Sequence, residues 1–95
     1  MSVIPVTRDT FHREVLNTPG RVLVEFWADW APPSPTLEQM VRENKLGLFR
    51  VNADREPELA NRFAIRRLPT LLVLRDGQEA GRFTAPCGLE ELLKL

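Results

Sequence analysis

Apolar and polar positions alternate along this chain in two different rhythms, and the switches between them mark the elements. Val3 to Thr7 reads as a short strand, which Pro5 confines to a sheet edge or a strand end because proline cannot donate to a ladder. Phe11, Val15 and Leu16 recur at helical spacing behind Asp9, a candidate N-cap, and Asn17-Thr18-Pro19-Gly20 ends that helix with turn chemistry. Val22 to Trp27 is almost continuously apolar, as expected of a strand covered on both faces. Leu37, Met40 and Val41 return to helical spacing, ending near Asn44-Lys45, and Leu46 to Val51 reads as the next strand. Pro57 suits the first turn of a helix whose apolar face is Leu59, Ala60 and Phe63. Thr70 to Leu74 has the look of a central strand, and Asp76-Gly77 is a two-residue hairpin signal leading into a last strand that runs through Phe83. Leu89, Leu92, Leu93 and Leu95 form a brief terminal helix that must dock to be stable.

Strands alternating with helices, then a hairpin, then a helix, predict an α/β domain with a mixed sheet and helices on both faces. The right-handed crossover rule leaves few other windings. At 95 residues the expectation is a single domain over 1–95, able to bury roughly 60–70% of its unfolded surface without metals or disulfides.

Composition narrows the function classes. The formal net charge is +0 and no lysine- or arginine-rich run is present, which argues against nucleic acid as a partner. No apolar run approaches the ~20 residues that cross a bilayer, so no membrane association is expected. The first residues lack a basic start followed by an apolar core, so a secretory signal is not expected, and a lone cysteine, Cys87, fits a reducing cytoplasm. No metal-ligand cluster, phosphate loop or nucleophile–base pair is visible, so neither cofactor nor metal is expected.

The richest segment is Val22 to Thr36. Its strand passes through Ala28-Asp29-Trp30 into Ala31-Pro32-Pro33-Ser34. This stretch resembles the active-site segment of thioredoxins, in which the tryptophan is followed by Cys-Gly-Pro-Cys. Further motifs stand in the matching order: Arg50-Val51-Asn52-Ala53-Asp54, Pro57-Glu58-Leu59-Ala60 with Phe63-Ala64-Ile65, Leu68-Pro69-Thr70-Leu71 and Asp76-Gly77. The resemblance covers nearly the whole chain and implies the thioredoxin fold, with a cis proline at Pro69.

Departures from that pattern carry the functional expectation. Disulfide exchange needs a thiolate that attacks sulfur, and alanine and serine at 31 and 34 supply none. The segment from Ser34 to Leu48 is about six residues shorter than the resemblance implies, more than a turn at ~1.5 Å rise per residue. Arg67 stands where the family's substrate groove has glycine, the family's lysine is Arg50, and its buried aspartate is Glu25. A carboxylate in an apolar strand is costly unless paired, so Glu25 is expected to be a structural acid neutralised by Arg50 or solvated at the sheet edge.

The expected function is therefore a protein-binding, chaperone-like or assembly role without dithiol catalysis. Its binding residues would be Trp30, Arg67, Leu68, Pro69, Thr70, Thr84 and Ala85, and its partner a protein or extended peptide. Two other readings stay open. One is a thiol–disulfide oxidoreductase, either with its cysteines replaced at Ala31 and Ser34 or using one-cysteine chemistry at Cys87. The other is a purely structural module. Arg66 and Arg67 offer a cationic lip for an acidic partner or are simply solvated. Proline chemistry adds one local expectation. Ala31, Pro32 and Ser34 each precede a proline and are pushed from the helical region, so the helix should begin at Pro35 or later, capped by Ser34 or by Thr36 with Gln39.

Overall fold

The computed structural model describes residues 3–84 and 88–95. A five-stranded sheet runs in the order β1-β3-β2-β4-β5, built from β1 (Val3–Pro5), β2 (Arg21–Trp27), β3 (Leu48–Asn52), β4 (Thr70–Arg75) and β5 (Gln78–Phe83). β1 and β2 each pair in parallel with β3, whereas β4 is antiparallel to β2 and β5 to β4. The helices are α1 (Arg8–Phe11), which continues as a π-helical turn over His12–Leu16, then α2 (Pro35–Glu43), α3 (Pro57–Arg62) and α4 (Leu89–Leu93).

The period of two in β2 sorts its side chains onto two cores. Val22, Val24 and Phe26 join Phe11, Val15, Val51 and Leu59 on the α1 and α3 side. Leu23 joins Leu37, Val41, Leu48 and Leu92 on the α2 and α4 side. Glu25 shares the parity of Leu23 and so faces α2 from the centre of the sheet. Solvation at a sheet edge is thereby excluded for this carboxylate.

Several boundaries differ from the pattern. The first helix is capped at Thr7 rather than Asp9. The Thr7 N–H donates to Thr10 Oγ1 at 2.9 Å and the Thr7 carbonyl accepts from Phe11, which leaves Asp9 in the first turn against the positive helix end. β1 runs only to Pro5: the Val6 N–H makes a last bond to β3, on the Arg50 carbonyl, before the chain turns into α1. β3 starts at Leu48 rather than Leu46, since the Leu46 N–H closes the end of α2 on the Val41 carbonyl.

Directions of the strands place the chemistry-bearing loops together. The β2 and β3 C-termini, the β4 N-terminus and the β5 C-terminus share one end of the sheet, because Phe26 opposes Thr70 and Leu71 opposes Phe83. The loops after Trp27, Asn52 and Phe83 and the loop before Thr70 therefore meet at that end.

Candidate functional site

A tight turn shapes the segment after β2. Ala28 and Ala31 exchange both main-chain hydrogen bonds, at 3.0 and 2.9 Å, which puts Asp29 and Trp30 at the tip. Ala31 itself is buried, 7% exposed, while Trp30 stands 70% exposed. The indole is nevertheless held: its Nε1–H donates to Asp54 Oδ2 at 3.1 Å. Asp54 is fixed in turn by an Asx turn, with Asn52 Oδ1 accepting from the Asp54 and Arg55 N–H groups, and the Ala53 N–H bonds the Trp27 carbonyl. An apolar side chain with that exposure and a fixed orientation loses little entropy on contact with a partner.

Helix α2 begins at Pro35 with Ser34 as N-cap, its Oγ accepting the Leu37 N–H at 3.1 Å. Proline at the first helical position costs no hydrogen bond there. Thr36 and Gln39 lie inside the helix instead of capping it. Position 31, where the resemblance implies a nucleophile, is thus four residues ahead of the first helical residue. Pro32 is exposed, and Pro33 and Ser34 are half-buried.

Glu25 closes the site from below. Its Oε1 accepts Arg50 Nε at 2.8 Å and its Oε2 accepts the Ser34 N–H at 2.9 Å. Both lone-pair faces of a carboxylate that is 1% exposed are therefore occupied by a cation and by the amide at the start of α2. Arg50 passes the charge outward through Nη1 to Glu38 at 3.0 Å, and Glu38 pairs with Arg42 at the surface. Arg50 Nη2 is buried without a partner. The glutamate, one methylene longer than the aspartate of the resemblance, spans from the sheet to the motif backbone.

The loop before β4 supplies the opposite lip. Arg67 is exposed, Leu68 and Pro69 are half-buried, and the Leu68–Pro69 peptide bond is cis. Leu68 packs against the α1 and α3 core, and Thr70, 1% exposed, turns its hydroxyl onto the Arg67 carbonyl. A partner at this lip would meet Arg67 and main-chain groups rather than the Thr70 side chain. Thr84 is exposed at the same end, whereas Ala85 and Cys87 lie outside the described residues.

The structure therefore brings Trp30, Arg67, Leu68, Pro69 and Thr84 to one end of the sheet and adds Asp54 to them. Asp54 is invisible to local pattern, because its contact with Trp30 spans 24 residues of sequence. Its one local signal is the Asn52-Ala53-Asp54 spacing that an Asx turn requires. Among the described residues no group of His, Cys, Asp and Glu is arranged to hold a metal ion, and no helix is long and apolar enough to cross a membrane.

Comparison with known proteins agrees with this geometry. The family model described as Thioredoxin matches residues 2–95. "Thioredoxin 1" of Nostoc sp. is 38% identical over 80 residues, 78% of this chain and 75% of that protein. "Thioredoxin 1" of Synechococcus elongatus is 37% identical over 79 residues, 77% of this chain and 74% of that protein. "Thioredoxin" of Griffithsia pacifica is 34% identical over 85 residues, 83% of this chain and 78% of that protein.

Proposed function

Because the chain belongs to the thioredoxin family, we propose that it acts as a protein-binding member that does not exchange disulfides, taking an extended polypeptide at the end of the sheet around Trp30 and Pro69. The carrying observation is how the degenerate motif is used. Ser34 is the N-cap of α2 through its Oγ, and its N–H is held by Glu25, so the position is committed to structure. Ala31 has no nucleophile, and Glu25, which would otherwise be placed to handle a proton, is occupied by Arg50 and Ser34. What remains presented is the fixed Trp30 and the Arg67–Pro69 loop. The Leu68 N–H and C=O lie beside the cis Pro69 at the start of β4, where main-chain groups would meet an added strand.

A second reading is favoured by the relatives' printed name, thioredoxin: a dithiol oxidoreductase in whose sequence Ala31 and Ser34 replace cysteines. Insulin reduction and thiol titration separate the two. The unaltered protein should reduce insulin no faster than a thiol-free control, and turnover with labelling of Cys87 would overturn this. In an Ala31→Cys/Ser34→Cys variant the first thiol should titrate near the free value of ~8.5, because α2 begins four residues beyond it. A first thiol titrating well below that value, with full insulin reduction, would support the dithiol enzyme. For the binding reading, Trp30→Ala should weaken a bound partner by about 2 kcal/mol or more.

A further inference from the structure

The proline run Pro32-Pro33-Ser34-Pro35 links the turn at Ala31 to the start of α2, and the peptide-binding role makes no use of it. Proline fixes φ near about −65°, and a residue ahead of proline is driven to extended or polyproline II geometry. Ser34 obeys that rule, with φ −76 and ψ 118. Both ends of the run are pinned. Ala31 exchanges two main-chain hydrogen bonds with Ala28, and Ser34 caps α2 through Oγ while its N–H donates inward to Glu25.

Polyproline II repeats every three residues, so Pro32 and Pro35 stand one turn apart on one face. Both are exposed, whereas Pro33 and Ser34 between them are half-buried. Pro35 keeps this place although it opens α2, because its ring holds φ at the same value in either structure. The hydrogen bonding that the run offers is one-sided. Pro32, Pro33 and Pro35 have no N–H, and the Ser34 N–H is taken by Glu25. The main chain from 32 to 35 therefore has only carbonyl oxygens to give, and an added strand would find no donor there. Beside the run a cavity of about 560 Å³ opens between Pro33, Pro35 and Gln39 of α2, with room for an aromatic ring.

We propose that this segment is itself a ligand. The Pro32–Pro35 turn docks into a groove of another protein lined by tryptophan and tyrosine, whose rings pack on Pro32 and Pro35 and whose indole N–H and phenol O–H groups donate to carbonyl oxygens of the run. Grooves of this kind take proline-rich segments because their conformation is formed in advance and little entropy is lost on docking. Here the pinned ends supply that order to a single turn. The surface differs in role from the site around Trp30 and Pro69. There the chain receives a polypeptide, and along the proline run it is received.

The test is a displayed library on a small polyproline-binding scaffold, its groove tryptophan and tyrosines kept and its flanking loops randomised. A second library has alanine in place of those aromatics, and both are panned on the intact protein. Binders should come from the first library only. Pro32→Ala and Pro35→Ala should each weaken them roughly fivefold, and Thr36→Ala, at an exposed neighbour, less than about twofold. Both proline variants keep the Ser34 cap and should unfold at temperatures close to wild type. If Pro35→Ala does not fold, Pro32→Ala, which lies outside α2, decides alone. No binders, equal recovery from the alanine library, or binders that tolerate either proline substitution overturn the proposal. Binders weakened by Trp30→Ala and by neither proline variant overturn it too, and assign the contact to the peptide-receiving site.

Discussion

Glu25 shows how one residue can be chemically loud in the sequence and structurally quiet in the fold. Its position in an apolar strand announces a buried carboxylate, which the Arg50 guanidinium at 2.8 Å neutralises while the Ser34 amide at 2.9 Å satisfies its second oxygen. Opposite charges at that separation in a dry setting are stabilising only as a pair, since removing one partner leaves the other buried and uncompensated. Arg50→Met should therefore destabilise the protein by about 3 kcal/mol in urea unfolding. Glu25→Leu/Arg50→Met should recover most of that loss, because it also removes the Glu25 carboxylate that Arg50→Met leaves buried without its cation. A double variant no more stable than Arg50→Met would show that the carboxylate's bond to Ser34 matters more than its pairing. The need for a partner was legible in the strand. The bond to Ser34 was not, because it depends on how closely α2 approaches β2.

Among the elements, β5 is an edge strand paired on one side with β4, and a side-chain clamp ties it further to the end of α3. Arg82 donates from Nε and Nη2 to both oxygens of Glu79, at 2.7 and 2.8 Å. The same Nη2 donates to the Phe63 carbonyl at 2.7 Å, at the end of α3, where Ala64 turns left-handed with φ 52. The Arg82 hydrogen bonds hold the Glu79 carboxyl below its ordinary value, against an opposing contribution from burial and with help from the Arg82 charge. A carboxyl depressed in the folded state stabilises fully above the unfolded carboxylate range and loses that contribution as pH falls through the folded value. Glu79 is 38% exposed at its side chain, so screening limits the gain to about 1 kcal/mol or less. Wild type should thus exceed Glu79→Gln in stability by that amount at neutral pH, and the two should converge in acid. A gap that persisted below the folded carboxyl's range would remove the charge from the explanation. Hairpin and strand were readable here from Asp76-Gly77 and the run to Phe83, whereas the bond from Arg82 to the Phe63 carbonyl spans 19 residues and left no local pattern.

For the whole molecule, the parallel β1-β3-β2 half and the antiparallel β4-β5 half are sealed by two cores, one on each face of the sheet. α4 covers part of the α2 side with Leu92, which is 0% exposed, and its end is held by Arg21 and Arg75 on the Leu93 and Leu95 main-chain oxygens. Five residues of helix cannot persist alone. Leu92→Ala should cost about 2–5 kcal/mol, the range for a leucine truncated in a packed core. It should also expose the 88–95 segment to proteases before the sheet unfolds. Loss of stability without early cleavage would mean that the two arginines suffice to hold the helix.

Hydrophobic rhythm determined the elements and their order, because burial repeats every second residue in a strand and every third or fourth in a helix, and both repeats are local properties. Local steric chemistry likewise determined where α2 begins, since each residue before a proline is pushed from helical geometry and serine followed by proline is a ready cap. The tertiary structure alone decided the rest. It chose Asp54 as the partner of Trp30 and Ser34 as the second partner of Glu25. Those outcomes depend on distances between strand ends that only the completed sheet sets, and no periodicity within a window of the chain encodes them.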